Sequence, residues 1–272
     1  MKKVLLLCMT VCLLALGCEK EGVYNPSKKI KRVYYSTSKH LTQEWKWNKN
    51  QLQKIDYYWN NSIHYTENFK YDDKNRITKI EDYDTGDYTT ISYSDDGYNK
   101  IEYYWENILI ISAAVKYENK KISRIDIVYY DCEEDKNIKS DGFISNIIPK
   151  EIIERVNNHK GTKGAYPVTV TFKYAGDNVS EMTSIEEGYT ANYSYENYDK
   201  NLNPYFHALT DGFGMYCLSK NNVGRIIYRG TFSEGDTEMG TTDFEYTYDG
   251  KFPTEVVQKI GTSRYVNYYE YN

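Results

Sequence analysis

Four histidines, His40, His64, His159 and His207, are the side chains best suited to moving protons or holding a metal near neutral pH. None stands at metal-ligand spacing from another His, Cys or carboxylate. No G-x-S-x-G, H-E-x-x-H or phosphate-binding glycine loop occurs. Adjacent carboxylates such as Glu186-Glu187 could serve glycoside hydrolysis. With 39 Asp and Glu in 272 residues, such neighbours arise without any function. Asp72-Asp73-Lys74-Asn75 and Ser94-Asp95-Asp96-Gly97 offer the clustered oxygens that calcium takes. They lack EF-hand spacing and its distal Glu, and hairpin turns use the same residues. The sequence therefore argues for no catalytic constellation, no metal and no cofactor.

Aromatic side chains make the better candidates. Tyr57-Tyr58-Trp59 is echoed by Tyr103-Tyr104-Trp105. Residues i and i+2 share a face of a strand. Tyr57 and Trp59 would then share one face, and Tyr103 and Trp105 would repeat it. If that face is the core, Tyr58 and Tyr104 point outward. If it is not, two Tyr/Trp pairs form an apolar platform able to stack on sugar rings or pack a protein partner.

Cysteine places the chain. Met1-Lys2-Lys3 is a short positive start, and Val4 to Leu16 is an apolar run without charge. Gly17 and Cys18 follow, then Glu19-Lys20-Glu21. This is the layout of a secretory signal, and the run is too short to span a bilayer. Leu14-Ala15-Leu16-Gly17-Cys18 resembles a lipobox, with the Leu and Ala before Gly17 in the reverse of the commonest order. The resemblance implies cleavage before Cys18 and diacylglycerol on its thiol. Stable anchoring takes more than one acyl chain, which a diacylated and N-acylated cysteine provides. Glu19, not Asp, follows the cysteine, which by resemblance to lipoprotein sorting implies the outer membrane. Periplasmic and surface faces both stay open.

Removing residues 1–17 takes Lys2 and Lys3, so 32 Lys and Arg stand against 39 acids in 255 residues, a net charge of −7. That balance excludes nucleic acid, which wants clustered positive charge. Cys8 and Cys12 leave with the signal. Cys132 and Cys217 remain, 85 residues apart, and could pair in an oxidising compartment.

Tyrosine, 31 of 272 residues, marks a repeat. An apolar residue, any residue and an aromatic residue, then a turn former, recur at Trp45/Trp47, Phe69/Tyr71, Ile91/Tyr93, Val115/Tyr117, Phe172/Tyr174, Tyr193/Tyr195, Tyr246/Tyr248 and Tyr269/Tyr271. The second members are spaced 24, 22, 24, 57, 21, 53 and 23 apart. Lys54 to Asn61 matches Lys100 to Asn107 at an offset of 46, in register with the anchors. Each unit reads as a hairpin: a strand carrying the pair, an Asp/Asn/Gly turn, then a return strand through a basic-Ile step. Ile77 and Ile80 lie three apart and break alternation, which a β-bulge or a strand end there would accommodate. One hairpin is marginal in water, so the units must stack edge to edge.

The units resemble the tyrosine-aspartate repeat of RHS-type proteins, best at Tyr71-Asp72, Tyr93-Ser94-Asp95-Asp96-Gly97 and Tyr248-Asp249-Gly250. A closer resemblance is to repeat-bearing lipoproteins of gut anaerobes, seen in Asn203-Pro204, Leu218 to Asn222, Tyr246 to Gly250 and Pro253-Thr254. The resemblance implies a fold and not an activity. The expected fold class is all-β, an antiparallel meander of repeated hairpins in an extended or curled sheet, with at most one or two short helices, one of them near Tyr205 to Leu209. The expected organisation is a signal peptide at 1–17, a lipidated tether at 18–29 and one repetitive domain at 30–272. An irregular insertion falls near 131–167, with a strand near Glu151 to Val156. An outer-membrane barrel is disfavoured, because the strands carry Lys, Asp and Glu throughout. The expected function is non-catalytic: a lipid-anchored envelope protein that binds glycan or protein. The alternatives are a purely structural envelope protein and, behind it, a glycan hydrolase. The expected partners are the membrane, through the lipid, and that ligand.

Overall fold

The computed structural model describes residues 24, 26–83, 85–130, 165–208 and 217–272. Alternating apolar and polar residues between turn formers give sixteen strands among them. The first eight are β1 (Ile30–Tyr35), β2 (His40–Asn48), β3 (Gln51–Trp59), β4 (Ser62–Tyr71), β5 (Ile77–Asp82), β6 (Tyr88–Ser94), β7 (Gly97–Trp105) and β8 (Ile108–Glu118). The rest are β9 (Lys121–Tyr129), β10 (Tyr166–Ala175), β11 (Asn178–Glu186), β12 (Tyr189–Glu196), β13 (Arg225–Phe232), β14 (Thr237–Asp249), β15 (Phe252–Ile260) and β16 (Ser263–Tyr271).

Every strand pairs antiparallel with its sequence neighbours, as the repeat implies. The sheet is not open, however. β1 pairs with β16 through Val33↔Tyr269 and Tyr35↔Asn267, which closes a sixteen-strand barrel. Closure removes both edges, whose unpaired N–H and C=O groups would otherwise invite aggregation. Where a short helix is expected at Tyr205 to Leu209, the described residues, which end at Ala208, form a turn, with Ala208 N–H donating to Tyr205 O. The strand expected near Glu151 to Val156 lies outside the described residues.

Bulges reconcile the repeat with the pleat. The register shifts between Lys46 and Trp47, Lys70 and Tyr71, Ser92 and Tyr93, Lys116 and Tyr117, Lys173 and Tyr174, and Thr247 and Tyr248. Each shift falls where the return strand carries apolar residues three apart. Ile77 pairs with Tyr71 while Lys79 pairs with Lys70, which leaves Thr78 as the extra residue. Leu52/Ile55, Tyr98/Ile101 and Ile122/Ile125 repeat the arrangement, and the apolar members of all four pairs are buried.

The aromatic positions of the repeat form a belt. The hydroxyls of Tyr71, Tyr93, Tyr117 and Tyr174 donate to the carbonyls of Leu52, Ile77, Tyr98 and Ile122, at 2.7 to 3.0 Å. Tyr198, Tyr246 and Tyr271 do the same to Val179, Val223 and Pro253, and the Trp47 indole to Ile30. Six of these eight acceptors open a return strand of an earlier hairpin. A ring alone would fill the space; the hydroxyl also satisfies a carbonyl beside each bulge. The repeat had suggested Tyr195 and Tyr248 as the anchors of their units, but Tyr198 and Tyr246 hold the carbonyls. Tyr195 instead reaches Met182 Sδ, and Tyr248 bonds Asp199.

Inside and outside are clearly sorted. Ile30, Ile55, Ile125, Ile127, Val168, Val170, Met182 and Ala191 are 0–2% exposed, and they belong to one continuous apolar cluster. Ion pairs cover the outer wall. They include Arg32 with Glu44, Lys46 and Lys54 with Asp56, Lys70 and Lys79 with Glu81, Lys116 and Arg124 with Asp126, and Arg225 with Asp243. A membrane-spanning barrel carries an apolar band outside and a polar lumen. This wall has the opposite sorting.

Candidate functional site

The barrel has two unlike ends. The turns after β2, β4, β6, β8, β10 and β14 lie at one, with the chain's entry at Tyr24. The segments between β12 and β13 cross this end. Tyr205 packs its ring on Trp45 of β2 and on Tyr269 of β16, at 6.1 and 6.0 Å. Tyr24 packs on Trp45 and Trp47, and its buried hydroxyl donates to Pro204 O. Leu202 N–H donates to Lys251 O, and Lys220 N–H to Asp177 O. This plug therefore ties together β2, β16 and two turns. A crevice between plug and wall has Asn203, Asn222, Phe244 and Tyr269 in its lining.

The other end is the rim. About 30 Å of strand separates it from the plug, at roughly 3.3 Å per residue. The exposed large apolar side chains among the described residues gather here: Tyr35, Trp59, Ile63, Tyr83, Ile108, Tyr130, Ile185, Met239, Ile260 and Tyr265. They sit at the last residues of outgoing strands, at the first of returning strands, or in the turns between them. Tyr83 and Trp59 are 80% and 70% exposed. Folding strongly disfavours leaving such area in water, at about 25 cal/mol per Å². Among the described residues, this area is concentrated at one end of the barrel.

Two-residue turns set the rim's shape. Asn60 and Asn61 have φ of 50° and 61°, and Glu106 and Asn107 have 48° and 67°. Both turns thus match the type I′ geometry that suits twisted hairpins. They carry the two aromatic sets, and the structure places the two differently. Tyr57 is buried, stacks on Tyr65 at 4.2 Å and donates to Glu67 Oε2 at 2.9 Å. Trp59 stands out in solvent. The bulge at Tyr57/Tyr58 breaks the shared face of the first set, whereas in the second, bulged at Tyr103/Tyr104, Tyr103 and Trp105 both pack against the core. Tyr103 donates to Asp87 Oδ2 at 3.2 Å, and Trp105 is half-buried against the core. Tyr104 lies outside, stacked on Tyr88 at 4.8 Å. The two pairs therefore do not form one platform.

Inside the rim, tyrosines hold carboxylates. Tyr57 bonds Glu67, Tyr103 bonds Asp87, Tyr166 bonds Glu186 at 2.7 Å, and Tyr189 and Tyr228 both bond Glu238. Burial first, then the Glu238 bond, pushes the Tyr228 hydroxyl well above its ordinary range. A side chain at Gly230 would collide with both hydroxyls of the Tyr189–Tyr228 pair. Glu186 is buried while Glu187 is exposed in the turn, so this carboxylate pair points two ways and offers no paired acid and base.

The remaining candidates have structural explanations. Asp72 accepts from the N–H groups of Lys74 and Arg76 and pairs with the Arg76 guanidinium at 2.7 Å, so its carboxylate closes a turn. His40 and His64 are exposed near the rim, His207 lies in the plug, and His159 is outside the described residues. Cys217 is a buried free thiol among the described residues, and its backbone carbonyl accepts from the His207 N–H of the plug. Burial pushes Cys217 up to about 12, which keeps it an unreactive thiol. Cys132 and Cys18 both lie outside the described residues. The rim itself was not foreseen. Its only sequence signal is large apolar residues flanking turns, as at Trp59 and Ile108.

No family model matches the chain, and no curated protein does. Solved structures resemble it in fold. A porin-like protein from Bacteroides vulgatus ATCC 8482 superposes with a TM-score of 0.56 at 11% identity, over 90% of this chain and 99% of that one. A porin-like protein from Bacteroides uniformis ATCC 8492 gives 0.52 at 11% identity, over 91% and 99%. The class of protein defined by fold and end geometry is a closed antiparallel β-barrel with a porin-like path. This chain's version is plugged at one end and carries an apolar rim at the other.

Proposed function

We propose that the chain is a non-catalytic lipoprotein of the cell envelope, held by acyl chains on Cys18, that binds glycan or protein through its rim. The observation that carries the binding role is the gathering of exposed Trp59, Ile63, Tyr83, Ile108 and Met239 at the end opposite the chain's entry. An anchor at the plug end leaves this rim pointing away from the membrane. The lipobox and Glu19 favour the outer membrane, and the porin-like fold of the two Bacteroides proteins agrees with an envelope setting. A conduit is disfavoured, because the inward residues at mid-barrel are dry. The second reading, a purely structural envelope protein, draws on the regular belt and continuous core. A glycan array and a panel of envelope proteins, probed with wild type and Trp59→Ala, test the proposal. Binding that the variant loses supports it. Binding to nothing, or binding indifferent to the rim, favours the structural reading.

A further inference from the structure

The charge at the two ends differs as much as the hydropathy. Among the described rim turns stand exposed Glu106, Glu187, Glu234 and Asp236 and the buried Asp87, against Lys39, with exposed Arg264 at the neighbouring strand end. The plug-end turns are balanced: Lys49, Lys74, Arg76, Lys120 and Lys251 against Asp72, Asp73, Asp95, Asp96 and Asp177. Glu187, Glu234 and Asp236 are exposed, and they lie in the same turns and strand ends as Ile185 and Met239. The rim is thus apolar and acidic together.

This combination selects an occupant. A second copy set rim to rim would bring these acids against one another, which costs association. An anionic lipid surface would be repelled for the same reason. A glycan stacks on aromatic rings but gains little from surrounding acids. Resting on the reading of the rim as a binding surface, we propose that its occupant is a protein surface rich in Lys or Arg with aliphatic or aromatic side chains between them. Trp59, Ile63, Ile108 and Met239 supply apolar contact. Glu187, Glu234 and Asp236 steer the approach and set which partners are refused.

The test uses the mature lipid-free chain and two labelled synthetic peptides that alternate Leu and Trp with either Lys or Glu. Fluorescence anisotropy reads binding at low and high salt. The lysine peptide is expected to bind and to weaken with salt, while the glutamate peptide does not bind. Trp59→Ala should weaken it about thirtyfold, the loss typical of an aromatic hot spot. Glu187→Gln with Glu234→Gln and Asp236→Asn should slow association and flatten the salt dependence. Asp95→Asn with Asp96→Asn, at the plug end, should change nothing. Equal binding of both peptides, or equal loss from the plug-end variant, overturns the proposal. So does rim-dependent binding of phosphatidylglycerol vesicles, or a rim-dependent dimer. If neither peptide binds while a glycan array shows binding that depends on Trp59, the basic-partner proposal falls and the binding module stands.

Discussion

The Trp47 indole Nε1 donates to the backbone carbonyl of Ile30 at 2.7 Å. Ile30 pairs across the seam with Tyr271, whose hydroxyl donates to Pro253 O. The belt of aromatic donors therefore runs up to both sides of the junction between first and last strands, and the junction itself is held by the strand pairing.

Belt hydroxyls should be worth their bonds. Tyr71→Phe and Tyr117→Phe keep the ring and strand the carbonyls of Leu52 and Tyr98. Each should cost about 1 to 2 kcal/mol, read as a lower urea midpoint at unchanged slope. The two lie in different hairpins, so their costs should add. No loss from either would mean that the hydroxyl contributes only solubility.

Asp56 makes the outer wall sensitive to acid. Burial alone would raise its carboxyl, but hydrogen bonds from Lys46, Lys54 and Thr66 hold it below the usual carboxylate range. A depressed carboxylate adds stability that is present above its unfolded value, near pH 4, and lost as pH falls through the folded one. Asp56→Asn should therefore destabilise by about 1 to 2 kcal/mol at pH 7, since both lysines stay partly hydrated. The gap should close as pH falls below the ordinary carboxylate range and Asp56 takes up its proton, as measured by urea unfolding across pH. A gap independent of pH would assign the loss to packing.

The interior should not conduct. Ile55, Ile127 and Val170 face inward and are dry, and Tyr205 and Tyr24 fill the plug end. Reconstituted into planar bilayers, the mature chain should give no steady single-channel conductance. Discrete, reproducible steps would contradict the barrel's apolar filling.

Attachment should depend on one thiol. Globomycin should make the uncleaved precursor accumulate, and Cys18→Ala should release the chain from membranes. Unchanged processing and membrane retention in both would remove the lipid anchor from the account.

Much of this was legible in the sequence. The hairpin units, their antiparallel stacking and the bulge between Ile77 and Ile80 follow from the repeat and from period-two alternation. Closure was not legible, because β1 and β16 lie more than 230 residues apart and pair by the same local rules as any neighbours. One clue was present: Ile30 to Tyr35 precedes the first complete unit and needs a partner. The plug escaped because Tyr205 and Cys217 carry no repeat, and their burial depends on the barrel around them. Tyr198 and Tyr246 entered the belt because position in space, not motif, decides which hydroxyl reaches a carbonyl. Of the two aromatic sets, the bulge beside Tyr57 splits the first between core and rim, which strict alternation did not foretell, while Tyr103 and Trp105 of the second both pack against the core.

The account rests most heavily on the rim, and one measurement addresses it directly. Binding by wild type should be compared with the double variant Trp59→Ala and Ile108→Ala, with thermal unfolding of both recorded alongside. The account predicts binding lost and the unfolding midpoint nearly unchanged, because both side chains are largely in solvent. Full binding by a folded double variant would contradict it.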